Sequence, residues 1–339
     1  MLKFLFRFGT PLLGVGCLIM LALIVTNREW PTELLNAANL QSFKILFISI
    51  ILEAFPFILL GVLFSALLQV FVTDELIQKF TPKNPIAGVL FGALLGILFP
   101  LCECGMIPVV RRLIRKGMPA YIGIVYLLAG PIVNPIVYAS TFTAFRTKPE
   151  MAYSRMGLAF AIAVIVGLLL YKFMKKSPLK ATPALHMAHH GHSHSHDHGA
   201  HHKGFKGRVA SILSHASDEF FEMGKYLIFG ALLTAVIQSV IDRNTLAAFA
   251  DQPVFSYIFM MGFAFILSIC STSDAFIASS FSGMFDFGPL LAFLVFGPMI
   301  DLKNTLMLLT TFRVKFVLIL IALTAALTFI GAVITEALL

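Results

Sequence analysis

Charge is scarce in this chain: only 12% of its 339 residues are Asp, Glu, Lys or Arg, while 58% are hydrophobic. Soluble domains carry roughly 25% charged and 45–50% apolar residues. That deficit excludes an ordinary soluble fold, because one or two cores of this length cannot bury so much apolar surface. Lipid can serve as the solvent for the excess. Cysteine is scarce too, with four in all, which excludes a disulfide scaffold. Cys17 and Cys270 sit in apolar runs, and Cys102 and Cys104 sit together. No nucleotide-binding motif is present, so energy from ATP would need another subunit. The net charge of +8 does not point to nucleic acid, since no basic platform interleaved with aromatics occurs. The basic residues cluster in short loops at 111–116, 172–180 and 203–208. That is the pattern of cytoplasmic loops beside anionic lipid.

What the chain has in abundance is apolar runs of spanning length, about 20 residues each. They fall near 9–26, 43–72, 118–145, 152–174, 218–241, 287–312 and 314–337. Two more, near 85–110 and 254–281, are interrupted: one at Pro100-Leu-Cys-Glu-Cys-Gly105-Met-Ile-Pro108, the other at Cys270-Ser-Thr-Ser-Asp274. Helix breakers at membrane depth are tolerated only where backbone is buried in protein or lines a polar cavity, so both breaks point inward. The N-terminus has the charge order of a signal sequence, but no small-x-small cleavage site precedes Asn27, and it reads as an uncleaved first helix. The fold class is all-α: a polytopic transmembrane bundle of two related halves, each with a broken or re-entrant segment. The expected divisions are an N-terminal helix and connector at 1–42, a first repeat at 43–174, a His-rich cytoplasmic loop at 175–215 and a second repeat at 216–339.

The repeat rests on polar landmarks. Glu53, Gly61 and Gln69 match Glu222, Gly230 and Gln238 at a displacement of 169 positions; Cys102 matches Cys270 at 168; Gly130-Pro131-x-x-Asn134 matches Gly297-Pro298-x-x-Asp301 at 167. The alternative is shared apolar composition. Charge bias favours segment 85–110 entering and leaving on one side and 254–281 on the other, an inverted repeat; Arg146, Lys148 and Arg155 would then face outside, against the bias. If both segments cross fully, each half has four crossings and the repeats run parallel.

Cys102-Glu103-Cys104 is the sharpest chemical feature. On a helix its thiols diverge by about 200°, but on extended backbone they face the same way. Bracketed by Pro100 and Gly105, both sulfurs could converge on a soft ion such as Cu(I), Zn(II) or trivalent arsenic. The alternative is two buried cysteines acting as small hydrophobes. Cys270, Ser271, Thr272, Ser273 and Asp274 form the counterpart, either as ligands or as caps of two half-helices. Glu53, Glu222, Asp274 and Asp301 lie in apolar runs, where an unpaired charge costs at least about 2.5 kcal/mol at mid-bilayer. Glu53, Glu222 and Asp274 are candidates for proton coupling; Asn134 and Asp301, one turn beyond a proline, are candidates for lining the path. Gly88, Gly92 and Gly96 form a packing stripe.

The loop holds a metal-binding tract: His186, His189, His190, His192, His194, His196, His198, His201 and His202. Neutral imidazoles suit Zn, Ni and Cu(II), so Zn or Cu held here is the one cofactor the sequence suggests. A cytosolic metal buffer or sensor fits better than a transport site; a solvated linker is the alternative.

At Phe99-Pro-Leu-Cys-Glu-Cys-Gly-Met-Ile-Pro-Val-Val and Ala129-Gly-Pro-Ile-Val-Asn-Pro-Ile-Val, and again at Cys270–Asp274 and Gly-Pro-x-x-Asp301, the chain resembles the ArsP/YraQ-type permease family, over residues 43–335. The resemblance implies a multi-pass inner-membrane permease, not an enzyme. In that family some members are linked to efflux of trivalent organoarsenicals and some His-bearing relatives to copper or zinc efflux. The expectation is a secondary-active exporter of a soft metal or metalloid, with Cys102, Glu103, Cys104, Asn134, Cys270 to Asp274 and Asp301 around the substrate. Its partners would be the lipid bilayer, the small substrate, and a second copy or an accessory membrane protein. Two other classes stand beside it: an intramembrane thiol redox protein using the Cys-x-Cys pair, and a scaffold that displays the His-rich loop.

Overall fold

The computed structural model describes residues 37–71, 84–98, 103–174, 178–179, 223–236 and 253–339, with single positions between 73 and 82 and between 217 and 221. The first apolar run, Cys17, Cys102, Glu222, Gln238 and the nine clustered histidines lie outside the described residues. Among the described residues the architecture is an all-α polytopic bundle, and four helical stretches are long and apolar enough to cross a membrane.

The first half comprises α1 (Ala37–Phe71), α2 (Pro85–Leu98), α3 (Glu103–Arg115), α4 (Ala120–Ala129), α5 (Pro135–Ala144) and α6 (Glu150–Phe173). The second comprises α7 (Met223–Val236), α8 (Pro253–Leu267), α9 (Asp274–Ser280), α10 (Phe287–Met299), α11 (Leu302–Thr311) and α12 (Val314–Leu338).

Glycine contacts set the chain direction. Gly88 lies against Tyr121 and Ile122, Gly92 against Ile122 and Val125, and Gly96 against Gly130, so α2 and α4 run parallel. Met106 lies against Gly130, and Val110 and Ile114 against Gly123, so α3 runs antiparallel to α4. Segment 85–115 therefore enters and returns on one face. The chain turns back at Gly117, in the left-handed conformation at φ 101°. The second half repeats the manoeuvre. α8 runs parallel to α10, with Ala264 against Gly297, while Phe281 and Phe285 beyond α9 return along α8 onto Phe263 and Phe259.

The runs 118–145 and 287–312, where Gly-Pro elements suggest kinks, each break in the middle. Asn134 caps α5 by accepting from the Val137 N–H at 2.9 Å, with Pro135 at the first helical position. Asp301 caps α11 by accepting from the Asn304 N–H. A cap and a proline that cannot donate both favour starting a new helix over continuing the old one. The α4–α5 pair still crosses completely: α6 runs back along its whole length, with Tyr171 on Tyr121 and Tyr153 on Tyr138. With 24 residues, α6 is about 36 Å long, enough for the hydrocarbon core.

The two halves run in opposite senses. α12 is antiparallel to α6: Gly331 packs on Leu158, while Leu179 bridges Phe312 and the Arg313 N–H donates to Pro178 O at 3.0 Å. The α4–α5 and α10–α11 crossings consequently point opposite ways, and the two re-entrant hairpins enter from opposite faces. α3 of one hairpin packs on α11, and α9 of the other packs on α5.

Candidate functional site

Four half-helices, α3, α5, α9 and α11, begin in the interior where the hairpin tips and the helix breaks meet. A helix N-terminus carries partial positive charge and unpaired N–H groups. Each here has a buried polar side chain at its start: Glu103, Asn134, Asp274 and Asp301.

Two buried cations stand among these groups. Arg155 of α6 is 1% exposed and joins the halves: its Nη2 pairs with Asp274 Oδ2 at 2.6 Å and donates to Ser271 O at 3.1 Å, while Nη1 donates to Thr141 Oγ1 at 2.7 Å. Arg155, which the inverted reading sets toward the outer side, is not left exposed: its charge is neutralised in the interior by the tip of the opposite hairpin. Lys303, 4% exposed, lies at the start of α11. Its Nζ is 3.9 Å from Glu103 Oε1, 3.8 Å from Asp301 Oδ2, and donates to Ser268 O at 3.2 Å. Its backbone N–H donates to Ser268 Oγ at 3.4 Å. Ser268 ends α8 in the left-handed region, φ 47°, a strain that non-glycine residues rarely hold.

The same lysine is within electrostatic reach of the thiols of Cys104 and Cys270. Both cysteines are buried and neither is in a disulfide. Thr272 Oγ1 donates to Cys270 Sγ at 3.6 Å. The structure thus gathers Glu103, Cys104, Cys270 and Asp301 around Lys303. Ser273 turns away and donates to Glu53 Oε1 at 3.4 Å, on the exposed side of α1. Asn134 is spent locally: besides its cap, its Nδ2 donates to Gly130 O at 3.1 Å and Pro131 O at 3.3 Å. Several buried atoms near the centre have no hydrogen-bond partner among the described residues: Glu103 Oε2, Asp274 Oδ1, Asp301 Oδ2, and both amide atoms of Asn304. Buried polar groups are ordinarily satisfied, by protein or by ordered water. As the side chains stand, no group of three or more His, Cys, Asp or Glu among the described residues could hold a metal ion.

Sequence reasoning missed Arg155, Lys303 and Ser268 as site residues. Charge balance could have found the two cations. Each is a basic residue in an apolar run, and the buried carboxylates of Glu103, Asp274 and Asp301 need partners.

Opposed re-entrant hairpins with polar half-helix ends at their meeting point are the architecture of membrane permeases. The chain belongs to the ArsP_1 family, described as "Predicted permease", whose model matches residues 39–337. It is 46% identical over 292 residues to the UPF0718 protein YcgR of Bacillus subtilis (strain 168), covering 86% of this chain and 96% of that protein. It is 39% identical over 275 residues to a "Putative two-component membrane permease complex subunit" of Streptococcus mutans serotype c (strain ATCC 700610 / UA159), covering 80% of this chain and 88% of that one. No solved structure matches.

Proposed function

We propose that the chain is a secondary-active exporter of a thiophilic metal or metalloid, Zn or Cu ions or trivalent arsenicals, passed between the two hairpin tips. The observation that supports this reading is two buried cysteines outside any disulfide, Cys104 and Cys270 from opposite halves, within electrostatic reach of Lys303 and its two carboxylates. Thiolates select soft ions, and a shell of two is open enough to release its cargo. Cys102, outside the described residues, is the third candidate thiol ligand.

The opposed directions of the halves and the matching caps at Asn134 and Asp301 support an inverted internal repeat. The face carrying the α3–α4 turn, Lys172, Arg313 and Lys315 is assigned to the cytoplasm of the cell membrane by its basic loops. It also begins the 175–215 loop, whose histidines would buffer Zn or Cu. Glu53 remains a proton-coupling candidate. Asp274 fits that role less well, because its carboxylate is held by Arg155. The streptococcal relative's name supports a second subunit working with this chain.

Transport of Zn(II), Cu(I) and arsenite into inverted membrane vesicles tests the reading. Uptake of at least one should require the chain and fall at least about tenfold in Cys104→Ser, as expected when a ligand used in transit is removed. Deleting residues 186–202 should leave uptake in place; loss of all function with that loop would favour the scaffold.

A further inference from the structure

We propose that the Lys303 ammonium is a tethered cation: it occupies the site when no cargo is bound, and an incoming cation displaces it. This rests on the site assigned above and adds how that site is kept neutral between loads.

Two buried carboxylates facing one another without a counter-charge are strongly unfavourable. Glu103 and Asp301 come from opposite halves, and Lys303 lies between them at 3.9 and 3.8 Å. Neither distance is that of a charge-assisted hydrogen bond, which runs about 2.7–2.9 Å. Glu103 Oε2, and Asp301 Oδ2 although it faces the ammonium, have no hydrogen-bond partner among the described residues. The ammonium instead donates to a neutral carbonyl, Ser268 O, at 3.2 Å. The other buried cation provides the contrast. Arg155 holds Asp274 at 2.6 Å and adds two more hydrogen bonds. One pair is built to stay, and the other is loose enough to exchange.

The place of the ammonium points the same way. It lies between the two carboxylates that would hold a cation, Glu103 at 3.9 Å and Asp301 at 3.8 Å, with the thiols of Cys104 and Cys270 within electrostatic reach. Withdrawing the lysine would free two carboxylates at once. Lys303 is also positioned to move, since α11 begins just past the break at Ile300 and Asp301, beside Gly297 and Pro298. Flexible and compact, a lysine head can leave and return where a bidentate arginine would not.

The test uses the purified full chain and Zn(II) as probe. Lys303→Met should bind Zn(II) roughly tenfold more tightly than wild type, because the competing cation is gone. In proteoliposomes the same variant should lose net Zn(II) efflux while Zn(II)–Zn(II) exchange continues, since only the empty carrier needs the tethered charge. Unchanged or weaker Zn(II) binding in Lys303→Met overturns the proposal, as does loss of exchange in step with net efflux. If neither protein binds Zn(II), displacement by a metal cation is wrong, while cysteine-dependent arsenite uptake would still uphold the soft-cargo reading. Should Lys303→Met fail to fold, Lys303→Gln keeps a donor for Ser268 O and carries the same comparison.

Discussion

Arg155 and Asp274, 119 positions apart, form a 2.6 Å ion pair that ties the long α6 helix of one half to the hairpin tip of the other. Both side chains are almost wholly buried. Removing either partner leaves an uncompensated charge in the interior and costs about 3–5 kcal/mol. Arg155→Ala and Asp274→Ala should therefore each lower the unfolding temperature in detergent and reduce the monodisperse fraction. An apolar pair, Arg155→Met with Asp274→Leu, should recover most of that loss. If the double substitution is as unstable as the sum of the singles, the two residues do not form one neutralised unit.

The α1–α3 crossing depends on two glycines. A Cβ on Gly61 would stand 2.4 Å from Gly105 O and 2.5 Å from its Cα, and backbone cannot yield as a side chain would. Gly61→Ala should destabilise by about 1–3 kcal/mol, the usual cost of overpacking. Gly157, on α6, has nothing within 4 Å of its added Cβ. Gly157→Ala should be neutral or stabilise by up to about 1 kcal/mol. Thermal unfolding of the two variants side by side checks the helix placement.

Asp301 has two separable roles. Its Oδ1 caps α11 and its Oδ2 faces Lys303. Asp301→Asn keeps the cap and removes the charge, so folded yield should hold while transport falls at least about tenfold. Asn134→Ala removes the cap and the amide's bonds to Gly130 O and Pro131 O but no charge, and should cost at least about 1 kcal/mol, with transport reduced only as far as stability is. Transport surviving intact in Asp301→Asn would show that the carboxylate's charge has no part in the cycle.

Opposed hairpins make a topological prediction. Lys172 and Lys315 lie on the face of the α3–α4 turn, and Lys148, between α5 and α6, lies on the other. In a cysteine-free background, Lys172→Cys and Lys315→Cys should react with an impermeant maleimide from one side, and Lys148→Cys from the opposite side. Labelling of all three from one side would refute the crossing pattern.

Much of the bundle was legible in the residues. Pro100, Pro108 and the Ser-Thr-Ser run after Cys270 marked both interrupted segments, because backbone freed by breakers at membrane depth must be screened from lipid. Their return to the same face was favoured by the charge bias of the loops, which does not show the contacts that hold it. It depends on Gly96 meeting Gly130 and Met106 meeting the same glycine from α3. Gly-Pro-x-x-Asn134 and Gly-Pro-x-x-Asp301 were visible as kinks, but the complete break follows from caps whose acceptors bond three residues on. Arg155 and Lys303 were obscured for a different reason. A basic residue near the end of an apolar run looks interfacial, and the partners that draw these two inward lie 119 and 200 positions away in the chain.

On the proposed reading, cargo passes between Cys104 and Cys270 beside Lys303. The measurement that tests it most directly is intracellular Zn, Cu and As in cells expressing wild type, Cys104→Ser or Cys270→Ser, each exposed to Zn(II), Cu(II) or arsenite, with expression matched. The account predicts that for at least one of these elements both variants accumulate several-fold more than wild type and match cells lacking the chain. Wild-type levels of all three elements in both variants would contradict it.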